Sequence, residues 1–137
     1  MAAEPVSDEP EWVYPAEVLR WVDGDTVDLR VILEERTTDH GFHVREERRL
    51  LLEGRFRLYG VDTPERGAKN YAAAREFDEA LAPAGAHVTA QTFKAADKYG
   101  RWLALLTVAR ADGTTAQINA ELVENKMAVP YFGGRKG

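Results

Sequence analysis

The chain contains no cysteine and no apolar run of the roughly 18 residues that a membrane span requires. The first absence excludes disulfides and cysteine-ligated zinc, and it leaves the redox compartment open. The opening segment MAAEPVSDEPEW lacks the basic region and the apolar stretch of a signal peptide. We therefore expect a cytoplasmic protein, or a secreted one if a leader has been removed.

A surplus of positive charge is also missing, because the net charge over 137 residues is −5. Taken alone, this value disfavours a nucleic-acid partner. Residues 1–12, however, carry four acidic residues and no lysine or arginine, so the rest of the chain has a net charge of only −1. We expect residues 1–12 to form an acidic disordered tail and residues 13–137 to form one domain, whose arginines can still bind phosphate if they cluster.

The remaining pattern is mostly that of β-strands. Asp23-Gly24 predicts a tight hairpin turn, and Glu53-Gly54 predicts a turn or bulge. Alanine-rich residues 68–81 and the apolar spacing of residues 117–125 predict two helices. The predicted strands comprise a long two-stranded ribbon over 27–52 and shorter segments at 16–22, 55–61, 86–93 and 102–109.

These elements fit a mainly β (α+β) fold, namely a five-stranded OB-type β-barrel with two helices and an extended β-ribbon. Barrels of this type commonly bind oligonucleotides. The pattern alone fits a small α+β domain of another function equally well.

Three short segments carry candidate chemistry: Asp23-Gly24-Asp25-Thr26-Val27, the run from Arg57 to Glu65 with sequence RLYGVDTPE, and Asp97-Lys98-Tyr99-Gly100-Arg101. Each could be an ordinary turn. The first segment does not fit an EF-hand, because the fifth position is valine. It also resembles the nucleophile loop of haloacid-dehalogenase-type phosphatases, but that fold needs a doubly wound parallel sheet, and the preceding strand EVLRWV is not continuously apolar.

Together, the three segments resemble the staphylococcal-nuclease (thermonuclease) family in order and spacing, from about Val18 to Tyr131. The resemblance implies a Ca²⁺-dependent nuclease in which a metal-bound water attacks in line and leaves 3′-phosphate ends. It implies nucleic acid as the partner, with single-stranded DNA preferred and RNA possible, and we expect a monomer. The alternative is a non-catalytic OB-fold module that only binds nucleic acid, which would not need the full set of residues.

The same resemblance assigns a role to each matching residue. Three positions match the metal ligands, three match the groups that act on the reacting phosphate or water, and three match substrate contacts. The ligands would be Asp25, Asp62 and the carbonyl of Thr63; the catalytic residues Arg57, Glu65 and Arg101; and the substrate-binding residues Lys98, Tyr99 and Tyr131.

Calcium suits such a site because it takes six to eight oxygen ligands in a flexible geometry. Guanidinium suits it because its planar fork pairs with phosphate and stays charged. The resemblance to this family points to three further features. Asn119 matches a buried asparagine, so we expect a structural hydrogen-bonding role. Glu124-Asn125-Lys126 replaces a glycine-bearing helix end, and we expect Asn125 to take the left-handed position. The ribbon over 31–54 is longer than in the secreted prototype, and its function stays open.

Overall fold

The computed structural model describes residues 12–96 and 102–131. Residues 1–11 of the predicted tail lie outside this part, as do the candidate site residues Lys98, Tyr99 and Arg101. Trp12 is already the first residue of a strand and is paired with Thr92.

The described elements are eight strands and two helices. In chain order they are β1 (Trp12–Asp23), β2 (Thr26–Gly41), β3 (Val44–Leu58), β4 (Val61–Asp62), α1 (Tyr71–Leu81), β5 (His87–Ala96), β6 (Trp102–Ala109), β7 (Thr115–Gln117), α2 (Ile118–Glu124) and β8 (Val129–Pro130). No helix in this part of the chain combines the length and apolar character that crossing a membrane would require.

Five strands close into a ring of hydrogen-bonded neighbours. β1 pairs with β2 and β5, β2 pairs with β3, and β5 pairs with β6, all antiparallel. A short parallel pairing between β3 and β6, from Phe56 opposite Trp102 to Leu58 opposite Ala104, completes the ring. This order, with a helix between the third and fourth strands of the ring, is consistent with the predicted OB-like α+β fold.

The core lies inside the ring, and alternating residues of each strand point into it. β6 shows this alternation clearly, since Ala104, Leu106 and Val108 are buried between more exposed neighbours. Helix α2 covers one end of the ring with Ile118 and Leu122, both fully buried. Burial of these apolar side chains is the main force that holds the ring together.

The β2–β3 ribbon differs from its prediction in two places. β3 runs without interruption through Glu53 and Gly54, so the predicted turn or bulge there is wrong. Gly54 has no positive φ, and a Cβ there would approach no side chain closer than 3.8 Å, so the position needs no glycine. The ribbon reverses at Phe42 and His43, whose φ angles are 53° and 63°, which is the backbone of a tight two-residue hairpin turn.

Helix α1 packs closely against the β1–β2 turn. Gly24 has no side chain, and a Cβ built on it would lie 2.7 Å from the Cβ of Ala74 and 2.9 Å from Oγ1 of Thr63. Further along the helix, Trp21 Nε1 donates to the carbonyl of Ala82 at 2.8 Å. Glycine at position 24 therefore permits the close approach of a helix, a hairpin turn and the segment after β4.

Candidate active site

The β2–β3 pairing brings the first two sequence motifs together. Thr26 lies directly opposite Arg57 in the ladder, and the N–H of Leu58 donates to the carbonyl of Asp25 at 2.9 Å. This pairing brings Asp25, which lies in the turn just before β2, close to Arg57. The two residues are 32 positions apart in sequence, and the hairpin makes them neighbours.

Arg57 lies between two carboxylates. Its Nη1 is 2.9 Å from Oδ2 of Asp25, and its Nη2 is 3.5 Å from Oδ1 of Asp62. All three side chains are at most 16% exposed. Nη1 is buried and makes no aligned hydrogen bond with a described residue. The contact is therefore an ion pair more than a directed hydrogen bond, and the arginine offsets negative charge on both sides.

Backbone and hydroxyl groups fix the orientation of the Asp25 carboxylate. The N–H of Thr63 donates to Oδ2 at 3.1 Å, and Oγ1 of Thr26 donates to Oδ1 at 3.2 Å. Thr63 is buried, so this contact also ties the second motif to the first. The structure thus brings Asp25, Arg57, Asp62 and Thr63 together.

An open depression of about 220 Å³ adjoins this cluster and is strongly acidic. Its walls include the side chains of Asp23, Asp25, Asp62 and Glu65. Glu65 is exposed at the end of the second motif. Four carboxylates in one depression repel an approaching phosphate unless cations offset them.

The sequence analysis gave no role to three residues of this depression, namely Asp23, Arg66 and Tyr71. Tyr71, the first residue of α1, donates its hydroxyl to Oδ1 of Asp23. Arg66 Nη2 is 3.9 Å from the same oxygen, and its guanidinium lies 6.0 Å from the centre of the Tyr71 ring. Asp23 and Arg66 could have been found from the sequence, because each lies in or directly beside a motif. Tyr71 is revealed only by the packing of α1.

The donor atoms of the site fit a hard divalent cation. Asp25 and Asp62 offer carboxylate oxygens, and Thr63 can add its carbonyl, whereas the described residues that line the depression include no sulfur or imidazole ligand. Among the residues that the structure describes, no three acidic or histidine side chains form a ready-made metal cluster. Such a ligand set leaves most coordination positions to water and substrate, which calcium accepts because its shell is large and flexible.

Asp78 is a second feature that the sequence did not reveal. It is fully buried on the face of α1 that also carries Ala74 and Ala82, and neither carboxylate oxygen has a described hydrogen-bond partner. Burial raises the pKa of this carboxyl to about 9, and the negative charges of Asp25 and Glu79 contribute to the same shift. Asp78 is therefore protonated in the folded protein at neutral pH.

Asn119 confirms its predicted structural role. The side chain is buried, and its Oδ1 accepts from the N–H of Leu106 at 3.1 Å. Its Nδ2 donates to the carbonyls of Tyr59 at 2.9 Å and Ala104 at 3.0 Å. One amide thus joins α2 to β6 and to the segment just before β4, which carries the second motif.

The end of α2 corrects another expectation. Asn125 has a φ of −95°, and the left-handed residue is Lys126, with a φ of 61°. Tyr131 is half-buried, and its N–H donates to the carbonyl of Gly60 at 2.9 Å. Its role as a base-stacking residue stays a prediction, as do the roles of Lys98, Tyr99 and Arg101 outside the described residues.

Comparison with known proteins identifies the family of this chain. A family model described as "Staphylococcal nuclease homologue" matches residues 55–136, which include the second and third motifs. The first motif precedes the matched segment and joins it through the contacts of Asp25 with Arg57 and Thr63. A search of curated proteins gave no match. The matched segment covers more than half of the chain, and the protein belongs to the staphylococcal nuclease homologue family.

Proposed function

We propose that this protein is a calcium-dependent nuclease that hydrolyses phosphodiester bonds in DNA, with RNA as a further candidate substrate. The proposal rests on the grouping of Asp25, Arg57 and Asp62. The N–H of Thr63 orients the Asp25 carboxylate, and Glu65 lines the adjoining depression. A nuclease needs cation ligands, a phosphate-binding guanidinium and a base close together. Two motifs that are distant in sequence supply these groups.

Each residue would have a distinct task. Asp25, Asp62 and the carbonyl of Thr63 would hold Ca²⁺, which when bound supplies positive charge to offset charge on the phosphate oxygens. Glu65 would take a proton from the attacking water. Arg57 and Arg101 would stabilise the charge that develops in the transition state, and the product would carry a 3′-phosphate.

In this proposal, Arg57 has one role in the metal-free protein and another in catalysis. Without a cation, its guanidinium offsets the charges of Asp25 and Asp62. With Ca²⁺ bound, the carboxylates no longer depend on it, and the guanidinium can turn part of its hydrogen-bonding capacity to phosphate. We therefore expect productive substrate binding to require the metal.

A module that binds nucleic acid without cutting it is the second candidate. The family assignment and the OB-like fold suit either function, because OB folds bind single strands through charged grooves and aromatic side chains. The acidic depression argues against a binding-only role, because four carboxylates hinder phosphate binding unless a cation offsets their charge.

The decisive experiment incubates the full chain with single-stranded DNA, plasmid DNA or RNA in calcium, in magnesium or with chelator. We expect cleavage of single-stranded DNA with calcium and little with magnesium, because magnesium demands octahedral geometry and dehydrates reluctantly. Equal turnover with both ions would refute the calcium assignment. Binding in every buffer without any cleavage would favour the binding module.

A matched pair of variants then separates base from ligand. Glu65→Gln should lower turnover by about 10²–10⁴ while calcium binding, followed by isothermal titration calorimetry, is retained. Asp25→Asn should weaken calcium binding itself. If Glu65→Gln abolishes calcium binding and excess calcium restores turnover, then Glu65 is a ligand and the assigned role is wrong.

A further inference from the structure

Lys126, the second residue after α2, has a backbone conformation that is unfavourable for a residue other than glycine. Lys126 donates its N–H to the carbonyl of Val123 at 3.1 Å, and Met127 donates to Leu122 at 2.8 Å. These two bonds, with a φ of 61° at Lys126, form a helix-terminating motif whose left-handed residue is usually glycine. A side chain in this conformation is strained, because its Cβ crowds the following carbonyl. Lysine therefore occupies a position where glycine would be easier to fold.

The Lys126 side chain borders a groove beside the candidate active site. One wall of this groove of about 230 Å³ is the segment from Asp62 to Glu65, and the other is the segment from Lys126 to Val129. The β4–β8 pairing, with Asp62 opposite Val129, holds the two walls together. The segment from Asp62 to Glu65 thus separates this groove from the acidic depression and is common to both.

The charge of Lys126 lacks an acidic partner in the part of the chain that the structure describes. Lys126 is exposed, and it forms no ion pair with a described residue. The ribbon arginines, by contrast, are paired; Arg36, for example, lies 3.1 Å from Glu34. A cation after a helix also interacts favourably with the last carbonyls. That interaction does not require the left-handed position, since any residue of the last turn would serve.

The other groove residues fit the remaining parts of a nucleotide. Met127, Val129 and Pro64 line it with apolar atoms, and Val129 is 57% exposed. Sugar rings and base faces pack against such surfaces, while a phosphate pairs with an ammonium group. One cation beside an apolar surface, next to carboxylates suited to hold a metal, matches the repeating unit of a polynucleotide.

We propose that Lys126 and this groove bind the phosphate and sugar of a nucleotide adjoining the bond that is cut. The inference rests on the proposed nuclease function and makes it more specific. The site would engage a nucleic-acid chain at internal positions, with one neighbouring nucleotide in the groove, and would bind a polymer more tightly than a mononucleotide.

The first test measures the salt dependence of binding for Lys126→Gln, which removes the charge and keeps the backbone conformation. A fluorescein-labelled oligothymidylate is titrated with the full chain in calcium, and every protein compared also carries Glu65→Gln, so that cleavage is slow while the metal is retained. Loss of one phosphate contact should reduce the slope of log affinity against log salt by about 0.7 and the affinity by about fivefold at about 0.1 M salt. Arg36→Gln, on the distant ribbon, should leave the slope unchanged.

The second test measures both stability and oligonucleotide affinity, because a binding role and a structural role of Lys126 predict opposite changes in stability. Lys126→Gly removes both the strain and the charge. We expect the midpoint of urea denaturation to rise while the affinity for the oligonucleotide falls as in Lys126→Gln. A residue retained for the helix end would show the opposite, with a lower midpoint and unchanged affinity, and that result would overturn the inference.

Two further outcomes would also refute it. Equal loss of slope in Lys126→Gln and Arg36→Gln would mean that only overall charge matters. Unchanged slopes in both Lys126 variants would exclude a phosphate contact. Failure of the proposed function would give a different result. If the protein is not a nuclease, the unmodified chain will show no calcium-dependent cleavage, whereas the binding difference between the Lys126 and Arg36 variants will remain.

Discussion

Asp78 should make the stability of this protein depend on pH in an unusual direction. A carboxyl that is paired in the folded state normally stabilises a protein more as pH rises. Asp78 has no described partner and is fully buried, and its pKa in the folded state is about 9, compared with an ordinary value of 3.8. The folded state therefore holds the proton more tightly than the unfolded chain. The contribution of Asp78 is fully present below about pH 4 and is lost as pH rises towards 9.

The size of this effect follows from the pKa difference. Each unit corresponds to about 1.4 kcal/mol, and pH 7 lies about three units above the unfolded value, so the unpaired carboxyl costs about 4 kcal/mol at pH 7. This figure is an upper bound, because water that reaches the carboxylate would relieve part of the cost. Replacement by asparagine keeps the shape and cannot ionise. Asp78→Asn should therefore be more stable than the unmodified protein at pH 8, and the difference should shrink steadily towards pH 5.

Urea denaturation of both proteins from pH 5 to 8, with chelator present, measures the difference directly. Glu76→Gln, which removes an exposed carboxylate from the same helix, should show no such pH-dependent difference. A constant difference between Asp78→Asn and the unmodified protein at all pH values would refute the reasoning. It would mean that the carboxyl titrates as it does in the unfolded chain and that solvent or a partner reaches it.

Three other changes test the contacts that build the site. Gly24→Ala should lower the free energy of unfolding by about 1–3 kcal/mol in urea denaturation, because its Cβ would lie 2.7 Å from that of Ala74. The control Gly54→Ala should change it by less than about 1 kcal/mol, and equal effects of the two substitutions would refute the close packing at Gly24. Asn119→Leu should cost at least about 2 kcal/mol, since it leaves the Leu106 N–H and two carbonyls without their buried partner, whereas the exposed Asn125→Ala should cost under about 1 kcal/mol. Arg57→Ala should lower turnover by about 10²–10³, because it removes a group that stabilises charge in the transition state. It should not weaken calcium binding in calorimetry, because the guanidinium competes with the metal for Asp25 and Asp62. Weaker calcium binding would show that Arg57 shapes the metal site.

Local pattern was most reliable where the sequence restricts the backbone. Asp23-Gly24 predicted the first hairpin, and the two helices lie where alanine content and apolar spacing placed them, although α1 begins at Tyr71 rather than at residue 68. Gly54 was misleading, because glycine in a strand can be tolerated without a turn. Lys126 was missed for the converse reason. The hydrogen bonds that end α2 impose a left-handed residue, and residue type alone pointed to Asn125.

The sequence by itself determined which chemical groups this protein has: the carboxylates and arginines of the motifs, the absence of cysteine, and the alternation that favours a mainly β fold. Tertiary structure decided which of them meet. The pairing of β2 with β3, together with the turn before β2, sets Asp25 beside Arg57, and Thr63 reaches Asp25 across 38 positions of sequence. Packing of α1 buries Asp78 away from any hydrogen-bond partner among the described residues, and the β4–β8 pairing makes the groove beside Lys126. Residue spacing encodes periodicity within one element, whereas these contacts arise between elements, and their geometry exists only once the ring has closed.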